Sequence, residues 1–589
     1  MRLRRRRCCA LGLTLIALLA LAGSRALSLR PSLAAVSSPG ASPSPGATAA
    51  AAAGQPISPE AISTLRGWID SGNLSVLKWP NFSDCRSSIQ TFYGSTSYTL
   101  AWMRDSHPTS QALAVIGTLQ AADDKGLSAD DYDGGQWPSR IAQFNKPSPA
   151  PSDADIAQFD LALTVCVMRY ISDLHVGKVN PKNLKFGLDV EHKRYDLPQF
   201  LRERLIAAQP GEIKIALDDL EPPFDAYRRI EQMLDGYEAV AKQDSGEPLP
   251  IPAKSVKPGD TYAGLTRLAN LLREIGDLPP AAAINFDPPI YQEPLVSAVK
   301  SFQTRHGLEV DGRLGKGTVL QLNVPLSHRV EQLRLVLERW RWIPHEFSSP
   351  PVLVNIPEFT LRCWNDDNRK VLEMPVVVGR SYNHKTPVFS GDMKYVVFRP
   401  YWNVPLSIQR SEMVPKIRRD AAYVAKNNLE VVTNGGTVVT DGPVSSEVLS
   451  GLAAGSLSIR QKPGPKNSLG LVKFIFPNDY NVYLHSTPAT ELFSRSRRDF
   501  SHGCIRVQDP VGLAVWVLRD QPGWDRDHVL LAMNGGDPTQ VNLNQPTPVL
   551  ILYGTAAVKP DGRAYFFDDI YGYDSELERA LAKGYPYPQ

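Results

Sequence analysis

Hydrophobic and polar positions follow two different periods along the chain, a helical period in the first part and a β-like period in the last. From residue 57 to about 253, apolar residues recur mostly at spacings of three or four, which indicates amphipathic helices. The clearest case runs from 155 to 175, where the apolar positions are Ile156, Phe159, Leu163, Val167, Tyr170 and Leu174. No cluster of catalytic residue types stands out in this part. We therefore expect residues 57–253 to form a helical scaffold domain.

Residues 254–325 have the pattern of a separate, smaller helical module. Leu295, Val299 and Phe302 line one face of a predicted helix, and a turn with the sequence DGRLG leads into a second helix. A connecting amphipathic helix is predicted within residues 326–349.

After Pro350 the pattern changes to short β-rich runs bounded by Gly, Pro and Asn. They predict a mostly antiparallel sheet domain over residues 350–536. Residues 411–456 interrupt these runs with mixed helical and loop sequence, and are predicted to be an insertion. Residues 537–589 add late strands, which we expect to rejoin the sheet, and a tail.

The first residues have the pattern of an export signal. Five arginines lie within the first seven residues, and Ala10 to Ala22 is an apolar run of 13 residues. Because a membrane-spanning helix needs about 20 such residues, residues 1–23 are predicted to be a signal peptide, with an uncleaved inner-membrane anchor as the alternative. Residues 24–56 are rich in Pro, Ala and Ser and are predicted to be a disordered linker. We expect the protein in the periplasm or cell envelope.

Composition narrows the function classes. The chain has 589 residues, of which 43% are hydrophobic and 21% charged, so it is globular and long enough for several domains. A net charge of +3 gives no electrostatic case for binding nucleic acid. Six cysteines are too few for a disulfide scaffold, and no loop has the context of a phosphate-binding motif.

The residues with the strongest chemical signal lie between Tyr483 and Val507. His485 ends a β-rich run, and the sequence Ser-His-Gly-Cys follows at 501–504. A cysteine in such a loop suits nucleophilic chemistry, because Gly503 lets a substrate approach the backbone closely. A thiol nucleophile needs a base. His485, which precedes Cys504 by 19 residues, is the candidate.

The second ring nitrogen of a catalytic histidine needs an orienting hydrogen-bond acceptor. No acidic residue stands beside His485, so the backbone carbonyl of Ser486 is the candidate. A second histidine, His502, lies two residues before Cys504.

Other interpretations of these residues stay open at this point. A metal site would need further ligands with typical spacing, and no such motif accompanies His485, His502 and Cys504, so we expect no metal. Cys504 in a disulfide, or a purely structural role for the segment, are alternatives. Cys166 has a core pattern, whereas a bridge between Cys85 and Cys363 stays open.

The spacing His-x(15)-SHGC-I-R resembles the signature of the L,D-transpeptidases, whose YkuD-type catalytic domain is a β-rich sandwich. VNIPEFTL, RPYWNVPLSI and RQKPGPKNSLGLVKF also resemble landmarks of the large Gram-negative-type members. AVKSFQTRHGLEVDGRLGKGTVLQLN resembles the small three-helix peptidoglycan-binding module, with a non-binding spacer as the alternative. The resemblance implies a multidomain α+β protein, in which residues 411–456 cap the catalytic domain. Ser486 stands where close relatives are expected to have Asp.

The resemblance also implies the reaction and the roles of the residues. The substrates would be peptidoglycan stem peptides, joined by 3-3 cross-links through a thioester on Cys504. His485 would be the general base and acid, and His502 and Gly503 would form the oxyanion pocket. No cofactor is needed, since one amide replaces another. Carbapenem-type inhibitors are expected ligands, because members of the family are acylated by them.

Four further residues are candidates to bind substrate. Arg506 follows the nucleophile by two residues and suits a substrate carboxylate, with a structural salt bridge as the alternative. Tyr483, Trp402 and Ser501 complete the set. An L,D-carboxypeptidase, an amidase that cleaves cross-links or lipoprotein links, and a non-enzymatic wall-binding scaffold are the alternative functions.

Overall fold

The computed structural model describes residues 55–146, 150–367, 369–382 and 384–587. The predicted signal or anchor and nearly all of the predicted linker lie outside the described residues. Within those ranges, no helix has both the length and the apolar character needed to cross a bilayer.

A bundle of helices around one long central helix forms the first part. The elements are α1 (Pro59–Ser71), α2 (Arg86–Gly94), β1 (Met103–Arg104), β2 (His107–Pro108), α3 (Ser110–Gln120), α4 (Trp137–Phe144), α5 (Asp153–Val176), α6 (Leu197–Phe200) and α7 (Pro210–Asp218). The central α5 begins at a capping box, in which Ser152 and Asp155 satisfy each other's backbone N–H groups, and it ends before Gly177. The core of this bundle extends to Leu220.

A second core contains the predicted small module. Its helices are α8 (Asp225–Gln243), α9 (Leu265–Glu274), α10 (Leu295–Arg305), α11 (Lys316–Leu322) and α12 (Leu326–Arg341). The helix α8, which the sequence assigned to the scaffold, packs here with α12. The apolar faces of the module are therefore buried partly by helices outside residues 254–325.

The last part consists of strands and the helices between them. They are β3 (Val352–Asn355), β4 (Thr360–Trp364), β5 (Lys370–Gly379), β6 (Phe389–Phe398), β7 (Trp402–Asn403), α13 (Leu406–Ile408), α14 (Val414–Arg419), α15 (Tyr423–Lys426), β8 (Leu429–Thr433), β9 (Val438–Thr440), α16 (Ser446–Ala454), β10 (Leu457–Gln461), β11 (Val472–Ile475), β12 (Leu484–His485), β13 (Asp499–Ser501), β14 (Ile505–Val507), α17 (Pro510–Val517), α18 (Arg526–Asn534), β15 (Thr539–Leu552), β16 (Ala556–Val558), β17 (Ala564–Phe566) and α19 (Tyr573–Leu581).

The main sheet closes on itself. Its order is β5-β14-β12-β11-β6-β15-β3-β4, and β4 pairs again with β5. The pairs β12–β14 and β15–β3 are parallel, and β13 adds a parallel pairing at β5. The predicted mostly antiparallel character is confirmed, since the remaining pairings of this sheet are antiparallel. The sheet is closed and barrel-like, in place of the sandwich that the resemblance implies. The predicted α+β class, with helices first and a β-rich domain last, is confirmed.

The insertion forms a small subdomain with its own sheet and core, which we call the cap (residues 402–461). The sheet order is β7-β10-β8-β9. Its core residues are Val404, Met413, Val414, Ile417, Val424, Leu429, Val431, Leu452 and Ile459. The cap is wider than the predicted 411–456. The prediction missed β7 and β10 because their apolar pattern is the same as that of the strands of the main sheet. The side chain of Asn467 donates to Pro400 O and Lys462 O, and so joins the two ends of the cap.

Only part of the C-terminal region rejoins the main sheet. The strand β15 lies between β6 and β3, inside the region that the sequence placed after the catalytic domain. The strands β16 and β17 pair with each other and pack in the second core, against α8 and α12. The expectation that all late strands rejoin the sheet was therefore wrong for this hairpin.

The four cysteines of the described ranges are free thiols. Cys85 lies in the core of the helical bundle and Cys363 in the core of the main sheet. A bridge between them, which the sequence left open, is therefore excluded in this structure.

Candidate active site

The candidate site lies on one face of three neighbouring strands, β11, β12 and β14. Lys473 is the register partner of His485, and His485 is the register partner of Arg506. Because side chains alternate along a strand, these three side chains share a face. Tyr483 lies two residues before His485, and Cys504 lies two residues before Arg506, so both belong to the same face. The opposite face of the same strands is buried in the barrel core.

Cys504 lies in the loop between β13 and β14, and its side chain is half-buried. Its Sγ is 3.7 Å from the carbonyl oxygen of Asn481. Burial raises the pKa of the Cys504 thiol, while hydrogen bonds with Tyr483 and the charges of Lys473 and Arg506 oppose that rise. The net shift is upward, so the thiol is protonated at neutral pH.

His485 is buried, with 4% of its surface exposed. Its Nδ1 is 2.5 Å from the carbonyl oxygen of Ser486, the acceptor considered from the sequence. Burial, and secondarily the charge of Arg506, lowers the pKa of His485 to about 3, so the ring is neutral at neutral pH. No hydrogen bond between the His485 ring and Cys504 is present among the described residues. Catalytic hydrogen bonds often form only after the substrate binds.

Ser501 supports the cysteine loop from within. Its hydroxyl donates to the carbonyl oxygen of Cys504 at 2.5 Å and accepts from the N–H of Gly503 at 3.1 Å. The side chain is buried, with 2% of its surface exposed. Ser501 therefore orients the loop, and its predicted contact with substrate stays a prediction. The Gly503 N–H, an expected oxyanion donor, is also already engaged.

The peptide group between Gly503 and Cys504 is held from outside the motif. The hydroxyl of Thr386 donates to Gly503 O at 2.7 Å, and the N–H of Thr386 donates to the Tyr571 hydroxyl at 3.1 Å. In a trans peptide the C=O and the following N–H point in opposite directions. The Cys504 N–H therefore points away from Thr386, and it has no hydrogen-bond acceptor within the described part of the chain. It is the donor available to an oxyanion.

His502 connects the cysteine loop to the cap. Its Nε2 is 2.6 Å from Oε1 of Glu412, which lies in the helical turn Gln409–Met413 of the cap. The His384 ring centroid lies 4.7 Å from that of His502. The predicted role of His502 in the oxyanion pocket stays a prediction, since its ring is engaged by the cap.

The two aromatic candidates differ in their surroundings. The Tyr483 ring centroid is 4.0 Å from the Lys473 ammonium and 5.7 Å from the ring centroid of His485, so it lines the candidate site. Trp402 pairs with Gln461 in the cap sheet and packs against the cap core. Its predicted contact with substrate stays a prediction.

Four residues of this site were missed by the sequence analysis, namely Lys473, Thr386, Glu412 and Tyr571. Lys473 left a weak signal, since it is the only charged residue in the apolar run LVKFIF. The other three come from distant parts of the chain, and no local pattern connects them to Cys504.

A histidine on one strand, and a cysteine in the loop that leads into the adjacent strand of a closed sheet, indicate a site for cysteine-dependent chemistry. Comparison with family models assigns the class. Residues 350–551 match the L,D-transpeptidase catalytic domain known as YkuD. Residues 87–234 match a scaffold domain, and residues 264–322 match the "Putative peptidoglycan binding domain". Residues 350–551 are therefore an L,D-transpeptidase catalytic domain.

A curated relative is similar to part of the chain. A "Putative L,D-transpeptidase" from Haemophilus influenzae is 30% identical over 254 residues, which are 43% of this chain and 50% of that protein. The chain thus spans about half the length of the curated relative that it matches. A solved fused Zn-dependent amidase/peptidase with a peptidoglycan-binding domain from Clostridium acetobutylicum has 12% identity, a TM-score of 0.14, and coverage of 51% of this chain and 99% of that one. That likeness is too low to support an argument.

Proposed function

We propose that this protein forms 3-3 cross-links between peptidoglycan stem peptides through a thioester on Cys504. The observation that carries the proposal is the arrangement at the cysteine loop. The Cys504 thiol, an unengaged Cys504 N–H and a neutral, buried His485 share one face of the sheet. A nucleophile, a base and an oxyanion donor are what acyl transfer requires.

The first half-reaction forms the thioester. Cys504 Sγ attacks the carbonyl carbon of the third stem residue, and the C–N bond to the terminal D-Ala breaks. His485 accepts the thiol proton and returns it to the leaving amine. Because burial and Arg506 disfavour a charged imidazole, the proton is transferred as the S–C bond forms and not before. The Cys504 N–H stabilises the oxyanion, a contribution of about 3 kcal/mol for one such donor.

The second half-reaction passes the acyl group to the side-chain amine of another stem peptide. The amine nitrogen attacks the thioester carbonyl, the C–S bond breaks, and Cys504 regains its proton. Water competes at about 55 M, so an acceptor amine must be held in place, and oriented groups reach effective molarities of roughly 10⁵–10⁸ M. The cap contacts the cysteine loop through Glu412 and His502, and this contact supports a role of the cap in covering an acceptor. This contact favours transfer over the carboxypeptidase alternative.

The setting of this activity is the cell envelope. The basic and apolar pattern of residues 1–23 supports export, and the match at 264–322 supports attachment to the wall. Carbapenems fit the same site, because acylation of a thiol by their ring carbonyl needs the same three groups.

Product analysis tests the proposal. Tetrapeptide muropeptides are incubated with the protein, and products are counted by chromatography and tandem mass spectrometry. We expect dimers linked between two third-position residues, with one D-Ala released per dimer, and neither product from Cys504→Ala. Tripeptide monomers alone, even at high acceptor concentration, would identify a carboxypeptidase instead. Wild-type protein that yields neither product would contradict both.

A further inference from the structure

Two cations beside Cys504 have no carboxylate partner. The ion pairs formed by the described residues include neither Lys473 nor Arg506. The Nε of Arg506 is buried without any hydrogen-bond partner. Lys473 contacts the Tyr483 ring through its ammonium.

Burying a cation costs free energy unless an anion pairs with it. Burial lowers the pKa of Lys473 and of Arg506, the direction expected when a positive charge loses water without gaining an anion. Arg380 adds positive charge and lowers the pKa of Arg506 further, while its own Nε donates to Phe500 O. Glu491 acts on Arg506 from beyond ion-pair distance.

We propose that Lys473 and Arg506 form a carboxylate-binding subsite beside the nucleophile. The two residues flank His485 as register partners on either side, so their strands are separated by roughly 10 Å. Side chains of this length can reach across that gap on the face that carries Cys504. A carboxylate between them pairs with both charges and lies next to the thiol.

The identity of the carboxylate rests on the proposed function. A tetrapeptide donor whose third residue is a diamino acid with a side-chain carboxylate has two carboxylates near the scissile bond, one on the terminal D-Ala and one on that side chain. Both have the same chemistry, so the structure assigns the group and the experiment assigns its source.

Alkylation of Cys504 tests the subsite without any stem peptide. Iodoacetate and iodoacetamide both form an S–C bond and release iodide, but only iodoacetate carries a carboxylate. We expect the iodoacetate-to-iodoacetamide rate ratio at Cys504 to exceed that of free cysteine by about ten-fold, since a positive site concentrates the anion. The ratio also cancels any change in the pKa of the thiol.

Variants make this test specific. Lys473→Met and Arg506→Met should each lower the ratio towards the value for free cysteine, and Lys473→Arg should keep it. Lys214→Met, an exposed lysine in α7, is the matched control and should leave it unchanged. A wild-type ratio equal to that of free cysteine, or a ratio that both Met variants leave unchanged, would overturn the subsite while leaving cross-linking unaffected.

Binding to Cys504→Ala identifies the source. Calorimetry compares the tetrapeptide acid, its terminal amide and its side-chain amide. Weaker binding of one amide by ten-fold or more supports the subsite and names its carboxylate. Equal binding of all three would overturn the assignment of either carboxylate. No binding of any stem peptide, with the alkylation ratio still high, would overturn the proposed function and support an anion subsite of another substrate.

Discussion

At the scale of residues, the reactivity of Cys504 is set by opposing effects on one thiol. Burial favours the neutral thiol, whereas Lys473 and Arg506 favour the thiolate, and burial prevails. His485 is neutral for the same physical reason, since burial disfavours its imidazolium. The resting site therefore holds a thiol and an imidazole, and not the ion pair found in many cysteine enzymes.

The pH dependence of alkylation follows from this state. We expect the rate of Cys504 alkylation by iodoacetamide to rise about ten-fold per pH unit from pH 6 to pH 8.5, because the thiolate fraction grows with pH below a raised pKa. Protonation of His485 should add no break above about pH 4, since its pKa is lowered to about 3. A rate that is already constant at pH 7 would reveal a thiolate–imidazolium pair and contradict this account.

Thr386 is predicted to act through the orientation of one peptide group. Thr386→Val removes the hydrogen bond to Gly503 O and should slow carbapenem acylation by roughly 10- to 100-fold, since the Cys504 N–H loses its direction. Alkylation by iodoacetamide forms no oxyanion and should change less than two-fold. Thr386→Ser keeps the hydroxyl and should restore acylation. If Thr386→Val slows both reactions equally, the effect is on the thiol and the orienting role is wrong.

At the scale of elements, the helices were more predictable than the strands. The helix predicted at 155–175 is α5 at Asp153–Val176, because a helical period and its caps are local in sequence. The cap was predicted with the wrong bounds, because an apolar run does not reveal which strand it pairs with. The loop that carries Cys504 could be predicted because its motif is also local in sequence. Thr386 and Glu412 are distant in sequence and come close to this loop only in the folded chain.

The contact between Glu412 and His502 links the cap to the cysteine loop. Glu412→Gln weakens a charge-assisted hydrogen bond, a loss of about 1–3 kcal/mol. We expect the ratio of cross-linked dimer to hydrolysed monomer to fall at least three-fold. Glu447→Gln, an exposed residue at the start of the cap helix α16, is the control and should not change the ratio. An unchanged ratio in Glu412→Gln would mean that the contact does not exclude water.

At the scale of the whole molecule, the C-terminal hairpin connects the small module to the main sheet. Arg305 of α10 pairs with the buried Asp277 and donates to Ala564 O in β17, while β15 lies within the barrel. This connection could not be predicted, since it joins residues more than 250 positions apart. It also means that residues 254–325 share their core with other parts of the chain.

Removal of Arg305 tests that connection. Arg305→Ala leaves Asp277 with Arg563 as its remaining cation and should lower the free energy of unfolding by about 3 kcal/mol. Lys214→Ala removes an exposed ion pair and should cost less than 1 kcal/mol. Urea denaturation measures both. If Arg305→Ala lowers the free energy of unfolding no more than Lys214→Ala does, the connection through Arg305 contributes little to stability.

The proposed function depends on acylation of Cys504. Intact-protein mass spectrometry after mixing with a tetrapeptide stem or a carbapenem measures this directly. We expect one adduct per chain, absent in Cys504→Ala and formed about 100-fold more slowly in His485→Ala, because a general base is lost. An adduct that persists in Cys504→Ala would contradict the assignment of the nucleophile, and wild-type protein that forms no adduct would contradict the proposed chemistry.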